Sequence, residues 1–240
     1  MQPRTIRIAT LNLWGRFADW PRRRGQLAQQ LPQLEIDVYL LQEVVCGDGK
    51  GDQLRDVAEL LGYEWTARVV AEQREHETEE EGVAIVSRLP LAHVAVFPLP
   101  PSHPPRHRLE ATVGQIRVMT FHAAVSPDED RDEQIAGLAS LRDSPLLVGS
   151  DLNAPSSTVR PLVGDLDDTL GWDETPTWPR DEQEFVRAWT EKLGEPPDGD
   201  VEPRRLDYLL TRGLDVLDGG TVPTASDHLL VWADVTARTG

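Results

Sequence analysis

Short apolar runs recur along the chain, and each stops at a polar residue. Ile6, Ile8 and Leu11 alternate into Asn12, and Val38-Tyr39-Leu40-Leu41 runs into Gln42-Glu43. Pro145-Leu146-Leu147-Val148 leads through Gly149-Ser150 to Asp151-Leu152-Asn153. Asp207 lies within Leu206-Asp207-Tyr208-Leu209-Leu210, and Asp227-His228 stands before the last apolar run at 229–235. Such runs, bounded by turn residues, predict buried strands. A series of shorter segments at 64–70, 82–86, 93–97, 108–113 and 115–121 predicts an antiparallel meander. Helical composition falls at 22–31, ending near Pro32, at 52–61, stopped by Gly62, and at 130–141 and 182–193. Strands outnumber helices, and the helices fall singly between sheet segments. That order predicts two packed sheets with helices outside, an α/β (α+β) fold.

The length of 240 residues suits one domain spanning 1–240, and no linker or repeat divides it. Cys46 is the single cysteine, which excludes an intramolecular disulfide and a cysteine zinc cluster. The first residues run directly into a strand without an apolar signal region, and no apolar stretch approaches the ~20 residues that span a bilayer. The expectation is a cytoplasmic protein without a membrane partner; oligomeric state is not legible.

Charge changes the picture more. Lys and Arg number 24 against 41 Asp and Glu, a net −17. The stretch 72–81 carries six Glu and one Arg, and without it about −12 remains, so the acidity belongs to the whole chain. Proteins that grip long nucleic acids usually present a basic face. Basic candidates are Arg22-Arg23-Arg24, Arg106/Arg108 and Arg204-Arg205. The balance nonetheless disfavours long duplex DNA and favours a phosphorylated small molecule or a short single-stranded nucleic acid.

Taken singly, the polar clusters have simple structural readings. Asp151-Leu152-Asn153 and Asp227-His228 suit turns or caps, and Asn12 suits a satisfied turn amide. Glu43 is harder to explain, because a Gln-Glu pair after a buried strand is more polar than a core needs. Carboxylates, amides and imidazoles at successive strand ends together suit a hard divalent cation and the phosphate oxygens it polarises. Oxygen ligands without clustered Cys point to Mg²⁺ or Mn²⁺. Gly47-Asp48-Gly49-Lys50-Gly51 lacks P-loop spacing and reads as a flexible loop. Ser150 has no G-x-S-x-G frame. Arg106 and Arg108, at a strand entry, are candidates to grip a phosphate, with solubility as their simpler reading.

Read in order, T-L-N-L-W, L-Q-E-V, G-V-A-I-V-S-R-L-P, F-H-A-A-V-S-P, G-S-D-L-N-A, R-R-L-D-Y-L-L and A-S-D-H-L-L-V resemble the endonuclease/exonuclease/phosphatase superfamily, the deoxyribonuclease I-like group. The resemblance runs from Thr10 to Val231. It implies a four-layer αββα sandwich of two mixed central sheets flanked by helices, and a metal-dependent phosphoric ester hydrolase. On matching positions it makes Glu43 a metal ligand, assisted by Asn12 and Asp227. It gives Asp151 the task of orienting or deprotonating the attacking water, with Asn153 holding water and phosphate oxygen. His228 becomes a donor to the phosphoryl oxygen, Asp207 the carboxylate that fixes its tautomer, and His122 a second phosphate contact. Thr177-Trp178 resembles a turn lining the substrate cleft, whereas Glu80 and Glu81 read more simply as acidic loop. The leading expectation is a Mg²⁺-dependent phosphodiesterase or phosphatase working by in-line water attack. A nuclease on the same scaffold is the second reading, and a non-catalytic interaction domain, which the intact motifs disfavour, is the third.

Overall fold

Tyr39 and Leu41 point to one side of their strand and Val38 and Leu40 to the other, yet all four are buried. A strand apolar on both faces must be covered on both, and this requirement sets the architecture. The computed structural model describes residues 4–15, 17–47, 51–73, 79–100, 105–142, 145–199 and 201–238. In chain order the elements are β1 (Ile6–Asn12), α1 (Trp20–Gln30), β2 (Val38–Gly47), β3 (Gly51–Asp52), α2 (Gln53–Leu61), β4 (Trp65–Gln73) and β5 (Glu79–Ser87). There follow β6 (Leu91–Pro98), β7 (His107–Val113), β8 (Ile116–Thr120), α3 (Asp128–Ala136), β9 (Leu146–Asp151), α4 (Ser156–Leu162) and β10 (Asp167–Asp168). The chain closes with α5 (Glu182–Leu193), β11 (Asp207–Arg212), β12 (Leu214–Pro223) and β13 (Leu229–Ala237).

One sheet runs β12-β13-β1-β2-β5-β4, with β3 paired to β2, and the other runs β10-β11-β9-β8-β7-β6. Both are mixed, because β1–β2 and β8–β9 are parallel while the other pairings are antiparallel. Ile8, Leu40, Ile85, Val118, Leu147 and Leu209 fill the space between the sheets. Leu27 of α1 and Val57 of α2 cover the outer face of the first sheet over Tyr39 and Leu41. Ile135 of α3 and Val159 of α4 cover the second over Met119 and Val148. This is the four-layer αββα sandwich of the deoxyribonuclease I-like fold, with five α-helices among the described residues.

The inner core is crossed by one polar net. Gln42 Nε2 lies 3.0 Å from Thr10 Oγ1 and 2.8 Å from Thr120 Oγ1, linking neighbouring strands of one sheet to a strand of the other. Gln42, polar and fully buried, therefore has a structural role that its sequence position beside Glu43 did not disclose.

Several elements depart from the sequence expectation. The helix expected at 130–141 becomes α3 and then a tighter 3₁₀ turn from Gly137, where the residue itself carries poor helix propensity. Ser156–Leu162, for which no helix was expected, forms α4, and the Glu174 carboxylate accepts the first N–H groups, those of Ser156 and Ser157. Leu214–Pro223 carries Asp218-Gly219-Gly220, a turn signal, yet it pairs with β13 as a bulged edge strand. The acidic stretch contributes strand at both ends, up to Gln73 and from Glu79, and 74–78 lie outside the described residues. Of the Gly-rich run, Gly47 and Gly51 are in β2 and β3, and 48–50 lie outside the described residues.

Candidate active site

The strand ends bring seven polar side chains to one edge of the sandwich. The first sheet supplies Asn12 from the end of β1, Glu43 from β2, and Asp227-His228 just before β13. The second supplies His122 after β8, Asp151 at the end of β9 and Asp207 at the start of β11. Asp151 and Asp207 are directly opposite in the antiparallel β9–β11 pair, so pairing register alone makes them neighbours. Glu43 sits where the β2–β5 register shifts between Leu41 and Val44, at φ 50°. A non-glycine residue there is strained, and the bulge turns its carboxylate out of the sheet. Asn153, also at positive φ (51°), donates its backbone N–H to Asp151 Oδ1 at 3.0 Å and its amide to the Ala123 carbonyl.

Asp151 Oδ2 is the meeting point. The Asn12 amide nitrogen lies 3.0 Å from it and 3.0 Å from Glu43 Oε1, so one NH₂ group joins carboxylates from both sheets. His122 Nε2 is 3.5 Å away and His228 Nε2 3.8 Å. The Asn12 oxygen accepts the Trp14 N–H at 2.8 Å. Asn12 thus joins the two carboxylates through its NH₂ group while its oxygen is engaged by the Trp14 N–H.

The two histidines are in opposite states. His228 Nδ1 donates to Asp207 Oδ2 at 2.8 Å, leaving Nε2 toward the cavity, with Asp227 Oδ1 4.0 Å from it. Burial opposes charge on this ring, but Asp207, Asp227 and Asp151 hold its pKa well above the ordinary imidazole value. His122 is pushed well below that value by burial and by Arg106 and His228. It is therefore neutral, and its contact with Asp151 is not an ion pair. The Arg106 guanidinium faces His122 Nδ1 at 3.3 Å, which places the ring proton on Nε2, the atom facing Asp151.

Burial, reinforced by Asp207, lifts Asp151 from 3.8 to about 7, against the pull of His228, Asn12 and the Asn153 N–H. Burial and Glu43 lift Asp227 to about 6, although Trp178 Nε1 donates to its Oδ2 at 2.9 Å. Asp207 Oδ1 is buried with no hydrogen-bond partner. The site therefore holds more carboxylate than its surroundings compensate. A carboxylate-rich, negatively charged cluster of this kind fits a hard divalent cation. Among the described residues, one grouping brings its ligand atoms close together. Asp151, Asp207 and His228 have ligand atoms within 4.8 Å of one another, but Asp207 and His228 already hydrogen-bond each other. Glu43 and Asp227 offer carboxylates held from behind by Asn12, Trp178 and Ser226.

Some sequence candidates arrive elsewhere. Arg108 pairs with Glu110 at 2.5 Å and lies over the Phe97 ring, away from the site. Arg23 and Arg205 are buried, Arg205 against Asp168 at 2.7 Å, and Arg24 pairs with Asp56. Arg204 lies over Trp178. Three contributors have positioning roles that their sequence context did not disclose. Ser226 Oγ donates to the Asn12 carbonyl and accepts the His228 N–H, tying two loops together. Thr177 Oγ1 accepts the N–H groups of Leu206 and Asp207. Arg23 donates to the carbonyls of Leu13, Trp14, Gly15, Phe17 and Ala225, fastening the loop after Asn12 to the loop before Asp227. Burial lowers its pKa to about 10, still fully charged at neutral pH.

A carboxylate–imidazole pair beside clustered acids, at the strand ends of an αββα sandwich, defines the phosphoesterase class of this fold. The model of the endonuclease/exonuclease/phosphatase family matches residues 9–228, and the chain belongs to that family. Members are phosphoester hydrolases and generally depend on a divalent metal. An endonuclease/exonuclease/phosphatase from Beutenbergia cavernae DSM 12333 is similar at 25% identity and TM-score 0.74, over 98% of this chain and 72% of that one. A mannosyl-6-phosphatase from Bacteroides thetaiotaomicron VPI-5482 is similar at 17% identity and TM-score 0.66, over 96% and 99%. D. rerio TDP2 complexed with a single-strand DNA product is similar at 15% identity and TM-score 0.72, over 97% and 99%. No curated protein matches the sequence.

Proposed function

We propose that this chain is a divalent-metal-dependent phosphoester hydrolase that uses Mg²⁺ or Mn²⁺ on a small or short phosphorylated substrate. The observation that carries the reading is the convergence on Asp151 Oδ2 of Asn12, His122 and the Asp207-held His228. Glu43 and Asp227 would hold the ion, which supplies positive charge to the phosphate and leaving oxygens.

Asp151 accepts a proton from the attacking water, and its pKa of about 7 suits a base at neutral pH. Asn153 steadies that water. The protonated His228 donates from Nε2 to a phosphoryl oxygen as negative charge gathers there, and Asp207 holds the ring and its charge. His122 Nε2–H, kept neutral, is a second donor, and Arg106 behind it fixes its tautomer. As the P–O ester bond breaks, the alkoxide leaves opposite the water and takes a proton from solvent to depart as the alcohol.

The acidic site and the dispersed arginines favour this over a nuclease acting on long duplexes. The relatives' printed names, a mannosyl-6-phosphatase and a protein with a single-strand DNA product, support the same substrate range.

The test is a phosphate-ester panel with Mg²⁺, with Mn²⁺ and with chelator, on wild type and His228→Ala. Chelator-sensitive hydrolysis lost in the variant is expected. Plasmid nicking as the strongest activity overturns the substrate range, and silence across the panel with ion bound overturns the hydrolase reading.

A further inference from the structure

The cavity over the site, about 470 Å³, has two unlike sides. One is the cluster of acids and imidazoles. The other is an aromatic wall. Trp14 and Phe17 stack at 5.8 Å, Phe17 and Trp189 at 6.0 Å, and Trp14 and Phe185 at 6.3 Å. Trp178 meets Phe185 edge-on at 4.9 Å and lies 6.3 Å from His228, so the wall begins where the chemistry is.

If these rings served only to seat α5, they would be closed over. Instead Phe17, Trp178 and Trp189 keep part of their surface in the cavity. Lys192 Nζ lies over the Phe17 ring at 4.3 Å without lining the cavity, and the charges that do line it are unsuited to a second phosphate. Arg131 is already bound to Asp128 and Asp132, and Asp128 and Asp198 add negative charge to the lining. Arg204, over the Trp178 ring, is the one lining cation without a carboxylate partner among the described residues.

We propose that the substrate is a monoanionic or dianionic phosphate ester carrying a planar aromatic ring on its alcohol side, and that this ring binds against the open surfaces of Phe17, Trp178 and Trp189. The proposal rests on the hydrolase reading for its reaction, but not for its binding. A flat ring matches stacked rings, and one phosphate matches one cationic site. A polyanionic chain would set further phosphates against Asp128 and Asp198. The ring can belong to a nucleobase or to an aryl alcohol, and these share the same stacking chemistry.

The experiment compares benzyl phosphate with ethyl phosphate, and adenosine 5′-monophosphate with ribose 5-phosphate, in wild type and Trp189→Ala with Mg²⁺. In parallel, calorimetry measures binding of benzylphosphonate and ethylphosphonate, which needs no turnover. The expected aromatic preference in kcat/KM is about tenfold or more in wild type, the order that ring stacking supplies, collapsing toward unity in the variant. Phe17→Ala repeats the comparison if Trp189→Ala melts early. A larger ratio for the benzyl pair assigns the aryl source, and a larger ratio for the adenosine pair the nucleobase. Preferential benzylphosphonate binding without hydrolysis sinks the hydrolase reading and leaves the subsite standing. Equal binding of the two phosphonates, or a preference untouched by both substitutions, overturns the subsite.

Discussion

Asp151→Asn should make the metal-free protein more stable while abolishing turnover. Burial and Asp207 hold the Asp151 carboxyl at about 7, against an ordinary 3.8. A carboxyl with a raised folded-state pKa binds its proton more tightly folded than unfolded. Its stability contribution is therefore intact below about pH 4 and is lost as pH rises through about 7. The full interval corresponds to about 4 kcal/mol. The asparagine removes that charge cost but sets its NH₂ against the Asn12 NH₂ now 3.0 Å from Oδ2, a mismatch of about 1–3 kcal/mol. The net expectation at pH 8 in chelator is a gain of about 1–3 kcal/mol, or about 2–4 °C in melting temperature per kcal/mol. Thermal melts of both proteins at pH 5 and pH 8, with chelator and with Mg²⁺, provide the assay. The advantage should shrink at pH 5, where the wild-type carboxyl is protonated, and should be offset by Mg²⁺, which stabilises the wild-type acids more at pH 8. A variant that melts below wild type at pH 8 in chelator, or an advantage independent of pH, refutes the reasoning.

Asp207→Asn should lower kcat by about 10²–10⁴-fold with a melting temperature near wild type, because His228 loses the partner that holds its proton; activity within threefold of wild type in a steady-state assay contradicts this. Arg23→Gln strands backbone carbonyls from two loops and should cost about 3 kcal/mol or more, read by chemical denaturation. Gly149→Ala places a Cβ 2.5 Å from Leu40 Cδ1 and 3.1 Å from Thr10 Cβ, between the two sheets, and should destabilise by about 1–3 kcal/mol in the same assay.

The sequence by itself determined what short-range chemistry controls. Runs apolar on both faces, as at Val38–Leu41 and Leu146–Val148, could only be strands covered on two sides, so the layered sandwich was legible. The polar residues ending those runs marked Asn12, Glu43, Asp151, Asp207, Asp227 and His228 before any contact was known. Segments whose local signal is weak or contrary were not legible: α4 is rich in Ser and Pro, and β12 contains Asp-Gly-Gly yet is held as a strand by β13. Tertiary structure alone decided which of the polar groups meet. Asp151 faces Asp207 through β-register, and Asn12 spans to Asp151 from the other sheet across 139 residues of chain. It also divided the arginines, sending Arg23 and Arg205 inward and Arg108 to Glu110, which spacing cannot foresee. The aromatic wall, assembled from the loop after β1, the Thr177-Trp178 turn and α5, belongs to the same class. Burial, charge coupling and ring stacking are properties of neighbours in space, and only the folded chain brings those neighbours together.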